Sequence, residues 1–354
     1  MKSRPKARSP SSAGGRKAGP AWSHLDDEAL LDLRFTDLGL KIEGTELAPR
    51  IERLYAELDA RHIALHPHCW LSEEWFSPDG VPGIAIPFYL AHPRLMQLED
   101  HIMLDVEGGS GESCMRILRH EAGHALDTAF RLHRRRDWQR VFGKASKPYP
   151  DYYQPRLQSR RYVLHLNSWY AQAHPSEDFA ETFAVWLAAD SDWHREYAGW
   201  AAKRKLEYVE ALMTGIAGGK PAVRARRRVE PLAEIHKTLR THYEEKHTRF
   251  IAGHAGSVDR GLRRLFSSSP GRITHETAAE FLRRTRDELR RVVADMSGEH
   301  EYTVDQVLQD MILRCRQLGL YRHQPQRKSE EEAAALLALH TRNYLENGQH
   351  RFAL

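Results

Sequence analysis

Cysteine is scarce in this chain of 354 residues: Cys69, Cys114 and Cys315 form no CxxC pair, and their number is odd. Neither a disulfide framework nor a cysteine-ligated zinc site is supported, and a reducing compartment is expected. Long hydrophobic runs are missing too. The longest charge-free stretch that resembles a membrane span, Gly80 to His92, is too short and contains two prolines, so no membrane crossing is expected. No apolar segment of the kind found in secretory signals follows the basic N-terminus, which makes the expected location cytoplasmic. Internal repeats are absent, as is any strand signal beyond residue 200. What remains is ordinary globular material, 41% hydrophobic and 29% charged, which excludes collagen-like and wholly disordered chains.

The net charge of +5 is unevenly distributed. Residues 1 to 20 carry six Lys or Arg and no acid, residues 21 to 200 carry 19 basic against 28 acidic residues, and residues 201 to 354 carry 28 against 20. Rich in Pro, Gly, Ser and like charge, residues 1–21 are predicted to be a disordered basic tail. The arginines of the C-terminal half, Arg283, Arg284, Arg286, Arg290 and Arg291 among them, alternate with acids as on a solvated helix face. Nucleic acid as a partner therefore has charge in its favour and nothing more specific.

Between Trp22 and Glu107 the signals are mixed. Leu47, Ile51, Leu54, Tyr55 and Leu58 recur at helical spacing, whereas Gly83 to Leu90 and His101 to Val106 read as short strands, the first an edge strand because of Pro87. The edge strand is placed either in the core or along a substrate cleft. A long helix is predicted from about Gly111 to His133 and a second from Pro175 to about Ala189, with an aromatic, irregular stretch between residues 137 and 174. Beyond Trp193 the pattern is almost wholly helical. Capping boxes are expected at Thr303 with Gln306 and at Ser329 with Glu332, and a break at Pro270-Gly271.

The informative segment is Arg119-His120-Glu121-Ala-Gly-His124-Ala-Leu-Asp127. Residues four apart share a helix face, so His120 and His124 can direct two imidazole nitrogens at one tetrahedral ion. Glu121, about 100° round the same turn, can reach a metal-bound water without being a ligand, as a general base must. Residue frequencies alone yield on the order of 0.1 HExxH matches in a chain this rich in His, so a third ligand has to be found. Asp127 and Phe130 stand where HExxHxxGxxH would need Gly and His, which excludes that extension.

A better source is His174-Pro-Ser-Glu177-Asp178-Phe-Ala-Glu181-Thr-Phe-Ala184-Val-Trp-Leu-Ala188. On a helical wheel Glu177 and Glu181 lie on a side otherwise lined by Ala180, Ala184 and Ala188, and Asp178 lies about 100° away. Small residues there would let this helix approach the His120 helix, bringing Glu177 to the metal and Glu181 to the outer nitrogen of a ligand histidine. Asp127, one turn after His124, can orient a loop, accept from a group behind the ligands, or simply cap. Cys69 and Cys114 read as small core residues.

Taken together, HEAGHALD and YAQAHPSEDFAETFAVWL resemble the gluzincin metallopeptidases, in particular zinc-binding metallopeptidases whose active-site motifs are shared with the catalytic domain of anthrax toxin lethal factor. The resemblance spans roughly residues 65 to 200 and is specific only around the two motifs. It implies one Zn2+ held by His120, His124 and Glu177, Glu121 as base, Glu181 behind the ligands, and Tyr170, seven residues before Glu177, as donor to a developing oxyanion. A phenol opposite the metal can supply such a donor. Tyr152, Tyr153, Tyr162, His165 and His174 share the aromatic loop and leave packing open as Tyr170's role.

The expected architecture is α+β: a zincin-like catalytic domain over residues 22–220 and a mostly helical region over 221–354. The expected activity is hydrolysis of peptide bonds in a peptide or protein substrate, the acidic catalytic half favouring basic or neutral ones. Two other readings stay open, a catalytically silent zinc-binding interaction protein and a nucleic-acid-associated protein using the basic tail and helical half. Neither the oligomeric state nor the substrate is legible in the sequence.

Overall fold

The computed structural model describes residues 19–103, 106–150, 153, 155–156, 159–251, 257–270, 275–299 and 301–346. Most of residues 1–21, together with Tyr152 and Gly271, lie outside them. Helices run at Asp27–Leu31, Leu47–Ala60, Pro93–Met103, Gly111–Phe130, Arg136–Val141, Pro175–Leu187, Trp193–Glu196, Lys203–Ile216 and Leu239–Ile251, then at Ser257–Leu265, Ala278–Arg284, Arg286–Ser297, Glu301–Gln317 and Gln326–Glu346. Two parallel strands, β1 (His68–Ser72) and β2 (Gly83–Pro87), make up the sheet among the described residues. The chain is therefore mostly helical with a small sheet, consistent with α+β. Among the described residues no helix is long and apolar enough to cross a membrane.

The register runs from His68 opposite Gly83 to Ser72 opposite Pro87. On its other side β2 bridges Phe76 through Ala85, and all five of its residues are buried. Pro87 stands at the last pair of the ladder, and among the described residues β2 is, as expected, an edge strand of the two-stranded sheet, with a single isolated bridge on its other side. The strand expected over His101 to Val106 is instead the end of the Pro93–Met103 helix, with residues 104–105 outside the described set. Leu95, Leu98 and Ile102 bury at helical spacing there, and that longer periodicity overrides the local run of apolar residues.

Buried apolar side chains gather in two clusters, one drawn from Trp22 to Tyr243 and one from Leu262 to Leu337. The segment between residues 217 and 231 lies over β1, where Trp70 Nε1 donates to the Val229 carbonyl at 2.9 Å and Ser72 Oγ to that of Glu230 at 2.7 Å. In the second cluster the helices begin at Glu301 and Gln326, so Thr303 and Ser329 sit inside their first turns and do not cap them. The capping box in this region is Thr277 with Glu280. Its surface arginines find carboxylates: Arg283 meets Asp100, Arg284 meets Glu276, Arg286 meets Asp305 and Arg290 meets Glu301.

Candidate metal centre

The Gly111–Phe130 helix starts where Ser110 accepts the Ser113 N–H and ends at Arg131, whose positive φ of 52° breaks the helical path. It stops short of His133 because Asp127 takes that residue's backbone N–H at 2.6 Å and its Nδ1 at 3.1 Å, turning the chain. Asp127 thus serves the loop after the helix. Arg119 forms a buried two-pronged pair with Glu57, both contacts at 2.7 Å, fastening this helix to Leu47–Ala60.

Pro175 occupies the first turn of the Pro175–Leu187 helix and His174 caps it, its Nδ1 accepting from Ser176 N. Every residue from Glu177 to Leu187 is buried, so the helix is central and both of its faces are covered. It crosses the His120 helix at Gly123, where an added Cβ would lie 3.0 Å from the Ala180 Cα. That contact brings the side chains of the two motifs together. Asp178 faces away, 2% exposed and paired with Lys205 at 2.6 Å.

His120, His124 and Glu177 converge. His120 Nε2 lies 3.0 Å from Glu177 Oε2, His124 Nε2 lies 3.1 Å from the same oxygen, and the two nitrogens are 3.1 Å apart. Tetrahedral zinc with bonds of about 2.0–2.1 Å separates its ligand atoms by roughly 3.3 Å, so the three donors need only small shifts to receive it. They form a cluster compatible with a metal site. Glu181 Oε1 sits 2.8 Å from His120 Nδ1, and its other oxygen accepts the Leu166 N–H at 2.8 Å. With Nδ1–H donated to Glu181, the Nε2 lone pair of neutral His120 points at the cluster.

Burial alone would lower the pKa of His120, but hydrogen bonds to Glu177 and Glu181 override it and hold it well above the usual value. The same competition, won by Glu177, raises His124, and the two imidazoles drive Glu177 well below the ordinary carboxylate range. The two imidazoles hold protons tightly where a cation would replace them. Glu121 is buried beside them with Oε2 lacking any hydrogen-bond partner, and desolvation pushes its carboxyl upward against the pull of both histidines.

Tyr170 packs its ring 5.6 Å from that of His120. Burial first, then the charge of Glu177, raises its hydroxyl well above the normal phenol range, so it stays a proton donor. Among the other candidates of the aromatic loop, His165 and Tyr162 are engaged elsewhere. His165 donates Nε2–H to the Arg116 carbonyl at 2.9 Å, and the Tyr162 ring lies 4.1 Å from the Lys205 ammonium. One residue was not foreseen: Tyr149 donates its hydroxyl to Glu177 Oε1 at 2.8 Å. No motif surrounds it, and only a tyrosine in an aromatic loop 28 residues before Glu177 pointed to it.

No curated protein and no solved structure matches the chain. Residues 114–195 match the model of a family described as "Putative zinc-binding metallo-peptidase", and the matched stretch contains His120, Glu121, His124, Glu177 and Glu181 as well as both tyrosines of the site, so that at this coarse level the chain is similar to metallopeptidases acting on peptides or proteins.

Proposed function

We propose that this chain is a zinc-dependent peptidase of the gluzincin type, with a zincin-like catalytic unit in which His120, His124 and Glu177 are the metal ligands. The observation that carries the reading is the mutual approach of those three donor atoms to 3.0–3.1 Å next to an unpartnered, buried Glu121 oxygen. Zinc bound there would polarise a scissile carbonyl and acidify a water in its open position. Glu121 takes a proton from the attacking water and returns it to the leaving amine, a role that suits a carboxyl whose pKa burial raises. Tyr170 donates to the carbonyl oxygen as it becomes negative. Glu181 orients His120 throughout.

Metal analysis together with Glu121→Gln tests this. Purified protein should carry about one zinc per chain, and the variant should keep that zinc while peptide-library cleavage falls by several orders of magnitude. Protein that takes up no zinc when it is supplied in excess removes the central claim. A wild-type protein that holds zinc yet cleaves nothing in the library supports the silent interaction protein instead.

A further inference from the structure

The loop that carries Tyr149 is tied down over the start of the Glu177 helix. Gly143 adopts a φ of +109° against Pro175, and His174 Nε2 donates to the Lys147 carbonyl at 3.0 Å. The Tyr149 ring then stacks on the His174 ring, centroids 3.9 Å apart and planes 22° apart. Its hydroxyl donates to Glu177 Oε1 at 2.8 Å. Tyr149 is nevertheless 47% exposed, whereas the Tyr170 ring is packed against that of His120.

The two oxygens of Glu177 therefore do different things. Oε2 faces both histidine nitrogens, and Oε1 is taken by Tyr149. A free carboxylate can bind a metal through one oxygen or both, and binding through both would crowd the position that a catalytic site keeps for water. We propose that Tyr149 is a positioning residue for Glu177: by holding Oε1 it makes the carboxylate a one-oxygen ligand and fixes Oε2 on the metal. This rests on the metal-site reading above and adds to it a division of labour, Tyr149 setting the ligand and Tyr170 serving the reacting carbonyl.

Tyr149→Phe keeps the ring and its stack on His174 and removes only the hydroxyl, so the fold should be retained. Zinc affinity of the full chain is measured by competition with a chromogenic chelator, and the visible spectrum of the Co2+-loaded protein reports coordination number. Loss of the hydroxyl should raise the zinc Kd about 10-fold, within the range usual for groups behind the ligands, and weaken the cobalt bands as Glu177 swings to two-oxygen binding. Tyr170→Phe should change neither quantity. Identical zinc Kd and cobalt spectrum in Tyr149→Phe and wild type would overturn the proposal and leave the metal site standing. Weaker zinc binding in Tyr170→Phe alone would also overturn it, by moving the role to the other tyrosine. Wild-type protein that binds neither ion fails the metal reading itself and takes this inference with it.

Discussion

Tyr170 is the residue at which a packing role and a chemical role can be separated. Its ring contacts His120, and its hydroxyl is kept protonated by burial. Phenylalanine retains the ring, so melting should barely change. If the hydroxyl serves the oxyanion, kcat should fall about 10- to 1,000-fold with KM nearly constant, since the contact matters mainly in the transition state. Unaltered kcat would leave Tyr170 a core ring. The spacing of seven residues before Glu177 drew attention to Tyr170, but nothing local did so for Tyr149, because its partner is supplied by a loop folding over a helix start. His120 and His124 were legible for the opposite reason: their common face follows from helix geometry within five residues.

Between elements, the site depends on how closely two helices cross. Gly123 has no side chain to hold them apart, and Ala180 is the residue it meets. Gly123→Val should cost about 1–3 kcal/mol by overpacking and, because Glu177 rides on the displaced helix, should weaken zinc binding as well, as calorimetry and chelator competition would register. A variant as stable and as tightly metallated as wild type would mean the crossing is not that tight. Asp178 makes the contrasting case. Its position off the carboxylate face suggested a mild residue, and for the metal it should be one. Buried with Lys205, however, it cannot be changed freely: Asp178→Asn should keep zinc but lose roughly 2–3 kcal/mol by leaving that ammonium without its carboxylate. Zinc loss without destabilisation would reverse this assignment. The alanine stripe beside Glu177 and Glu181 was visible on a helical wheel, whereas the covering of the helix's other face was not, since it needs Trp138, Phe142 and Lys205 from elsewhere in the chain.

At the scale of the molecule, the stability contribution of His165 and the affinity of the metal site respond to falling pH in the same direction. Burial pushes His165 down to about 4, so between pH 6.5 and 4 the unfolded chain takes up a proton that the folded one refuses. Its contribution is complete above 6.5 and is lost as pH falls towards 4, up to about 3 kcal/mol. Zinc must also displace protons that His120 and His124 hold more firmly than free imidazoles, so its affinity should drop over the same descent. Melting curves at stepped pH, with and without chelator, should show the zinc-dependent part of Tm shrinking below neutrality; a constant difference would contradict it. The sequence by itself determined the helical paths of the two motifs, hence which side chains of each can act together, because a helix's periodicity is a property of neighbouring residues. It misjudged His101 to Val106 and passed over β1, where a few apolar residues suit either period and tertiary contacts choose. The alanine stripe suggested that Glu177 meets the histidines and that Glu181 takes the far side of His120, but only the folded chain decided those distances, and only it brought Tyr149 to Glu177. Those distances are set by the packing of segments 28 to 61 residues apart, and no local pattern encodes them.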